Sequence, residues 1–177
     1  MKLTWFGGTT LRIHIGGVIL VLDPAGAPAG IDAAELVSGA DQVVRDFGAD
    51  LPVLDTQGWR PRQPQRLIDD GVELPPVKCW LAGPDAVLVD AMGEAPLLLV
   101  RGAVPALGRW AEGAVAVVFG SGAGLSVIGM AVLAARAPRL LALAGDEAAV
   151  DQAIPLLRDG LDGSGLVALE AGLALEI

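Results

Sequence analysis

The first two dozen residues constrain the fold most. Leu3 and Trp5 alternate with Lys2 and Thr4, and Gly7-Gly8 ends the run. Leu11, Ile13 and Ile15 alternate with Arg12 and His14, the two-residue period of a half-buried strand. Gly16-Gly17 is a hairpin signal. Residues 18–22 are continuously apolar, which suits a strand buried on both faces. Asp23-Pro24 stops that strand, because proline cannot extend a ladder and restricts the residue before it. Three short strands and two turns are expected.

The segments Trp5-Phe6-Gly7 and Leu22-Asp23-Pro24 resemble the opening of the metallo-β-lactamase-fold hydrolases, in particular the branch similar to the L-ascorbate-6-phosphate lactonases. The resemblance is specific over these opening residues and weaker beyond them. It implies an α/β fold, a shortened four-layer αββα sandwich in one domain over residues 1–177. It also implies a dinuclear zinc site held by about five nitrogen ligands and a bridging carboxylate, whose task is to lower the pKa of water. The chain departs from that pattern where the metal should be held. The family's first histidine falls on Gly8. The His-x-His-x-Asp-His stretch should lie in residues 31–55, which hold no histidine. Val100-Arg101-Gly102 stands where the family has a Gly-Asp bridge, and Ala144-Gly145 where its last histidine ends a strand. No metal ligand carries over.

A net charge of −9, with the acids scattered, argues against nucleic acid, whose phosphates need clustered Lys and Arg, and against an anionic membrane surface. A single cysteine, Cys79, forbids an internal disulfide and a cysteine-built metal site, and reads as a small buried hydrophobe. Arg12 and the glycine pairs interrupt any secretory leader, so a cytoplasmic location is expected. Residues 113–135 carry no charge and are long enough to span a bilayer. Gly120-Ser121-Gly122-Ala123-Gly124 interrupts them, which favours strand, turn and buried helix in the interior of a soluble sandwich.

Further strands are expected at 77–81, 86–90, 96–101, 115–119, 140–144 and 165–170. A last one at 173–177 would close a terminal hairpin like the family's. Helices are expected at 125–136 and 146–157, with Pro155 kinking or ending the second. A short helix begins near Asp32 as N-cap. Residues 39–50 are ambiguous. Residues 50–64 are loop-like, with Trp59 as a lid over the core or a partner contact.

Candidate chemistry is sparse. His14 shares the face of Arg12 and reads as a solvated strand residue rather than a catalytic base. Asp23 and Asp146 each follow a buried strand and are weak candidates for Mg²⁺ or Ca²⁺, although a turn and a helix start explain them equally well. Gly120, Gly122 and Gly124 resemble half a dinucleotide fingerprint, but the third glycine of the pattern falls on Leu125. Ser121 and Ser126 form no nucleophile elbow. The expectation is therefore a metal-free, cofactor-free, non-catalytic member of the superfamily, a binding or assembly subunit that forms a homo-oligomer and has an unknown small-molecule ligand, if any. An enzyme using carboxylate ligands or a partner's residues is the alternative, and a nucleotide-binding module is the third reading.

Overall fold

The computed structural model describes residues 1–62 and 76–177. The chain is mixed α/β, with two mixed sheets and, among the described residues, three α-helices. The opening segment forms β1 (Lys2–Gly7), β2 (Thr10–Ile15) and β3 (Val18–Leu22), each antiparallel to the next. Gly16 and Gly17 both take positive φ between β2 and β3, the backbone of a two-residue turn that matches strand twist. The ambiguous 39–50 stretch supplies β4 (Gln42–Val44), parallel to β3. Before it lies α1 (Ala33–Val37), where Asp32 caps the Ala34 N–H as the sequence predicts.

The second sheet contains β5 (Val77–Gly83), β6 (Ala86–Ala91), β7 (Leu97–Val100), β8 (Val115–Phe119), β9 (Leu140–Ala144) and β10 (Gly165–Ala168). Its order is β10-β9-β8-β7-β6-β5, and β7 to β10 run parallel. The crossover helices α2 (Ala123–Ala135) and α3 (Glu147–Arg158) join β8 to β9 and β9 to β10. β11 (Ala174–Glu176) returns to the first sheet, whose order is β11-β1-β2-β3-β4.

Two cores follow from this arrangement. Leu3, Ile13 and Leu20 of the first sheet meet Val89, Leu99 and Val117 of the second. Leu98, Val118 and Leu143, on the opposite face of the second sheet, meet Leu125 and Val132 of α2 and Ala153 and Leu157 of α3. Gly129 lets the two helices approach: a Cβ there would lie 2.9 Å from Leu157 Cδ2. Trp59 is the predicted lid. It packs edge-on against Trp80 and Trp110, at 6.0 and 5.1 Å between ring centroids, over this outer core. Pro64, the end of the loop-like stretch, lies outside the described residues.

Three expectations need correction. The last two strands do not form a hairpin. β10 pairs with β9 and β11 with β1, so residues 169–173 carry the chain from one sheet to the other. The Leu169 N–H bonds Leu143 O on one side of that passage, and Gly172, at φ 80°, donates its N–H to Trp5 O on the other. Pro155 does not end α3, which continues to Arg158; proline sits in the last turns, where only one ladder bond is lost. Residues 113–135 are not wholly interior. β8 is buried, but α2 lies outside the second sheet, with Val127 58% and Met130 42% exposed. Among the described residues no helix is long and apolar enough to cross a membrane.

Candidate functional site

The parallel strands β7 to β10 end together, and ligands of open α/β sheets bind at such carboxyl ends. Here those ends and the end of β1 enclose a cleft of about 1160 Å³. Trp5 to Thr9 form one wall. Phe119, Gly120 and Ser121 line the cleft at the end of β8. Arg101 stands at the β7 side, and Asp146, Glu147, Asp151 and Glu170 stand at the β9 and β10 side.

Local chemistry fixes each wall. Trp5 is 8% exposed, and its Nε1–H donates to Gly8 O at 3.0 Å, tying the ring to the glycine turn. Behind that turn, the Thr9 hydroxyl donates to Asp23 Oδ2 and the Thr10 hydroxyl donates to Asp23 O at 2.7 Å. Asp23 itself takes a left-handed φ of 46°, and its carbonyl accepts from the Gly26 N–H at 2.9 Å. Its carboxylate therefore braces a turn. It lines a separate small hollow with Arg45 and Asp46, whereas Asp146 lines the main cleft, so the two aspartates share no site. Asp146 Oδ1 accepts from the Ala149 N–H at 2.8 Å and caps α3.

The glycine turn behaves as strand–turn–helix. Gly122 caps α2 at φ 49°. A Cβ on Gly120 would lie 2.9 Å from Leu125 N and Cα, so packing alone requires glycine there. Gly124 faces open space. Gly120 and Ser121 line the cleft, but Gly122 and Gly124 do not. His14 is exposed on the outer face of the first sheet, near Lys2 and Glu176, away from the cleft. Cys79 is buried between the sheets. Burial pushes its thiol from 9.0 to about 12, against the opposing pull of the Gln42 amide, which donates to Sγ at 3.7 Å.

A dinuclear zinc centre of the kind the resemblance implies does not fit these residues. A Cβ on Gly8 would collide with the Gly26 carbonyl oxygen. One on Gly145 would lie 2.8 Å from Gly120 O and from Leu125 Cδ2. Backbone thus fills the space that a ligand side chain at either position would need. At the β7 end stands a guanidinium, whose charge opposes that of a metal ion. Among the described residues no three His, Cys, Asp or Glu side chains are grouped to hold an ion.

Arg101 was not singled out from the sequence as a binding residue. Its guanidinium carbon lies 4.5 Å from the ring centroid of Phe47, which itself meets Phe119 edge-on at 5.8 Å. Phe47 is buried at a left-handed φ of 49°, a conformation that no hydrophobic pattern announces. The signal available was a cation, Arg101, at the position where the resemblance implies an acid. Compared with known proteins, the chain matches no family profile, no curated protein and no solved structure.

Proposed function

We propose that the chain is a non-catalytic, metal-free relative of the metallo-β-lactamase-fold hydrolases that serves as a binding subunit. The sandwich is then a shortened αββα arrangement, its layer over the first sheet reduced to α1. One observation carries the reading: the backbone closes the side-chain space at Gly8 and Gly145, where two of the family's ligands would stand. Both glycines line the open cleft, but a Cβ on either would meet a backbone oxygen, Gly26 O or Gly120 O, so a ligand side chain there requires the backbone to shift. Catalytic zinc wants three protein ligands and an open water position, and without a metal, water keeps its bulk pKa and no nucleophile forms. The cleft remains, large enough for an organic ligand.

The test is elemental analysis of untagged protein, followed by melting with and without chelator. Less than about a tenth of a metal per chain, and no chelator effect, is the expected outcome. Near-stoichiometric zinc, or a fall in melting temperature on chelation, would overturn the reading.

Assembly with a second copy belongs to the same proposal. At net charge −9 two copies repel, and the exposed flank of α2, with Val127 and Met130, carries no charge between Ala114 and Ala135. It is a face on which like-charged copies meet with little repulsion. Light scattering at micromolar concentration is expected to give a dimer mass that Met130→Lys reduces to a monomer. A monomeric parent would exclude it.

A further inference from the structure

The opposite charges of the cleft stand at opposite sides of it. Arg101 follows β7, Asp146 follows β9 and Glu170 follows β10, with the end of β8 between. Neighbouring strands lie about 4.8 Å apart, which separates the β7 end from those of β9 and β10 by roughly 10 and 14 Å. The lining between these strand ends and the end of β1 also includes the apolar Phe6 and Pro28, half-buried and exposed, so the cleft joins apolar surface to charged ends.

Both ends are available to a ligand. Arg101 is seated on Phe47 and ion-paired to Asp85 through Nε alone. Its Nε reaches Asp85 Oδ1 at a long 3.4 Å, with both side chains more than a third exposed, and among the described residues no hydrogen-bond acceptor meets its terminal nitrogens. At the other end Asp146 is occupied as a helix cap, but Glu147, Asp151 and Glu170 are exposed and make no ion pair among the described residues. A plain anion would be attracted by one residue and repelled by four. A plain cation would leave the terminal nitrogens of Arg101 without an acceptor. The ligand that satisfies both ends carries both charges on an apolar body, on the scale of the roughly 10–14 Å between the strand ends.

We infer that the cleft binds a short zwitterionic peptide of apolar side chains, its carboxylate on Arg101 and its ammonium among Glu147, Asp151 and Glu170. An extended peptide spans about 3.3–3.6 Å per residue, so three or four residues bridge the separation. Arginine's planar fork suits a carboxylate, and half-buried Phe6 and exposed Pro28 in the lining offer surface for the side chains. This assignment rests on the reading of the cleft as a metal-free binding site.

The experiment is calorimetric titration with free alanyl-leucyl-alanine, its N-acetylated and C-amidated forms, and spermidine. Zinc content is measured on the same samples. The free tripeptide is expected to bind, and each cap to weaken it by about tenfold, the worth of one charge-assisted hydrogen bond. R101Q should abolish the effect of amidation but keep that of acetylation, and E170Q should diminish the effect of acetylation. Should R101Q misfold through loss of the Phe47 contact, E170Q supplies the discrimination by itself, since it should diminish the effect of acetylation and leave that of amidation intact. Absence of binding, equal binding of capped and free peptides, or spermidine binding as tightly as the peptide would each overturn the assignment. Zinc-free protein that binds no peptide sinks the assignment alone, whereas zinc-loaded protein sinks the reading beneath it.

Discussion

The two sheets of this molecule solve the problem of burial differently. Every residue of β6, β7 and β8 is buried, because one face of the second sheet meets the first sheet and the other meets α2 and α3. The first sheet is buried on one face and covered only in part on the other, where Val21 is buried. Lys2 and His14 on its other face are exposed, and Thr4 and Arg12 half-buried. The second sheet is thus the centre of the protein, and the first an amphipathic cover over one side of it. The cleft forms where the rigid centre and the cover both end.

The largest effects should follow that division. L98A, facing the helices, and L99A, facing the first sheet, are each expected to cost about 2–5 kcal/mol, the range for a buried leucine removed from a packed core. T4A, on the open face of β1, should stay within about 0.5 kcal/mol. Urea melts of the three decide the matter. If L98A were as mild as T4A, the helix layer would be a loose covering and the comparison would fail.

Next come the glycines at the rim. G145A brings a Cβ to 2.8 Å from Gly120 O, linking the ends of β8 and β9, and should cost about 1–3 kcal/mol as an overpacking change. G8H places a side chain at a left-handed φ of 52° and against Gly26 O, with a similar cost of about 1–3 kcal/mol. Neither G8H nor G145H should gain zinc in elemental analysis. A stable G8H protein that takes up metal would mean that the cleft still shelters a metal site.

How much of this was legible in the sequence depends on the sheet. The alternation in β1 and β2 marked both the strands and their wet face, because a half-covered strand writes its environment as a period of two. The apolar runs of β8 and β9 marked strands buried on both sides, and Gly120 to Gly124 marked the turn between. The crossing of residues 169–173 between sheets was not legible: a strand-turn-strand pattern looks the same whether the strands pair with each other or with two different sheets. The open flank of α2 was hidden too, since Val127 and Met130 read as core by type. In the site, the sequence showed that the histidines implied by the resemblance are absent. The closure at Gly8 and Gly145 and the seating of Arg101 on Phe47 arise from backbone brought together across long separations in sequence.

A smaller effect tests the cover itself. The Arg12 guanidinium, on the outer face of β2, donates to Leu36 O at 3.0 Å and Ser38 O at 3.1 Å, tying the end of α1 to the first sheet. R12A should cost about 1–2 kcal/mol, the scale of hydrogen bonds from a partly exposed charged donor. The loss should be local. Amide exchange should rise in α1 and leave α2 unchanged, and an equal rise in both would mean that the first sheet is not an independent cover.

The smallest effect lies at the contact between the sheets' edges and vanishes at neutral pH. Cys79 on β5 accepts the long hydrogen bond from Gln42 on β4, so it joins the centre to the cover. Burial favours the uncharged thiol and raises its pKa from 9.0 to about 12. The folded chain therefore keeps its proton up to about 12, while the unfolded chain releases it from 9.0 upward. Below that window both states bind the proton and the thiol makes no pH-dependent contribution. Within it the unfolded state binds fewer protons, so stability falls as pH rises. C79A should lack this part of the decline, and the difference between parent and variant in urea melts should be flat below pH 9.0 and shrink above it. The same protection makes the native thiol slow to alkylate at neutral pH, since the thiolate is the nucleophile. Parallel stability curves for parent and variant, or rapid labelling of the folded protein, would show that the edge opens and that the two sheets are less firmly joined there than in their middles.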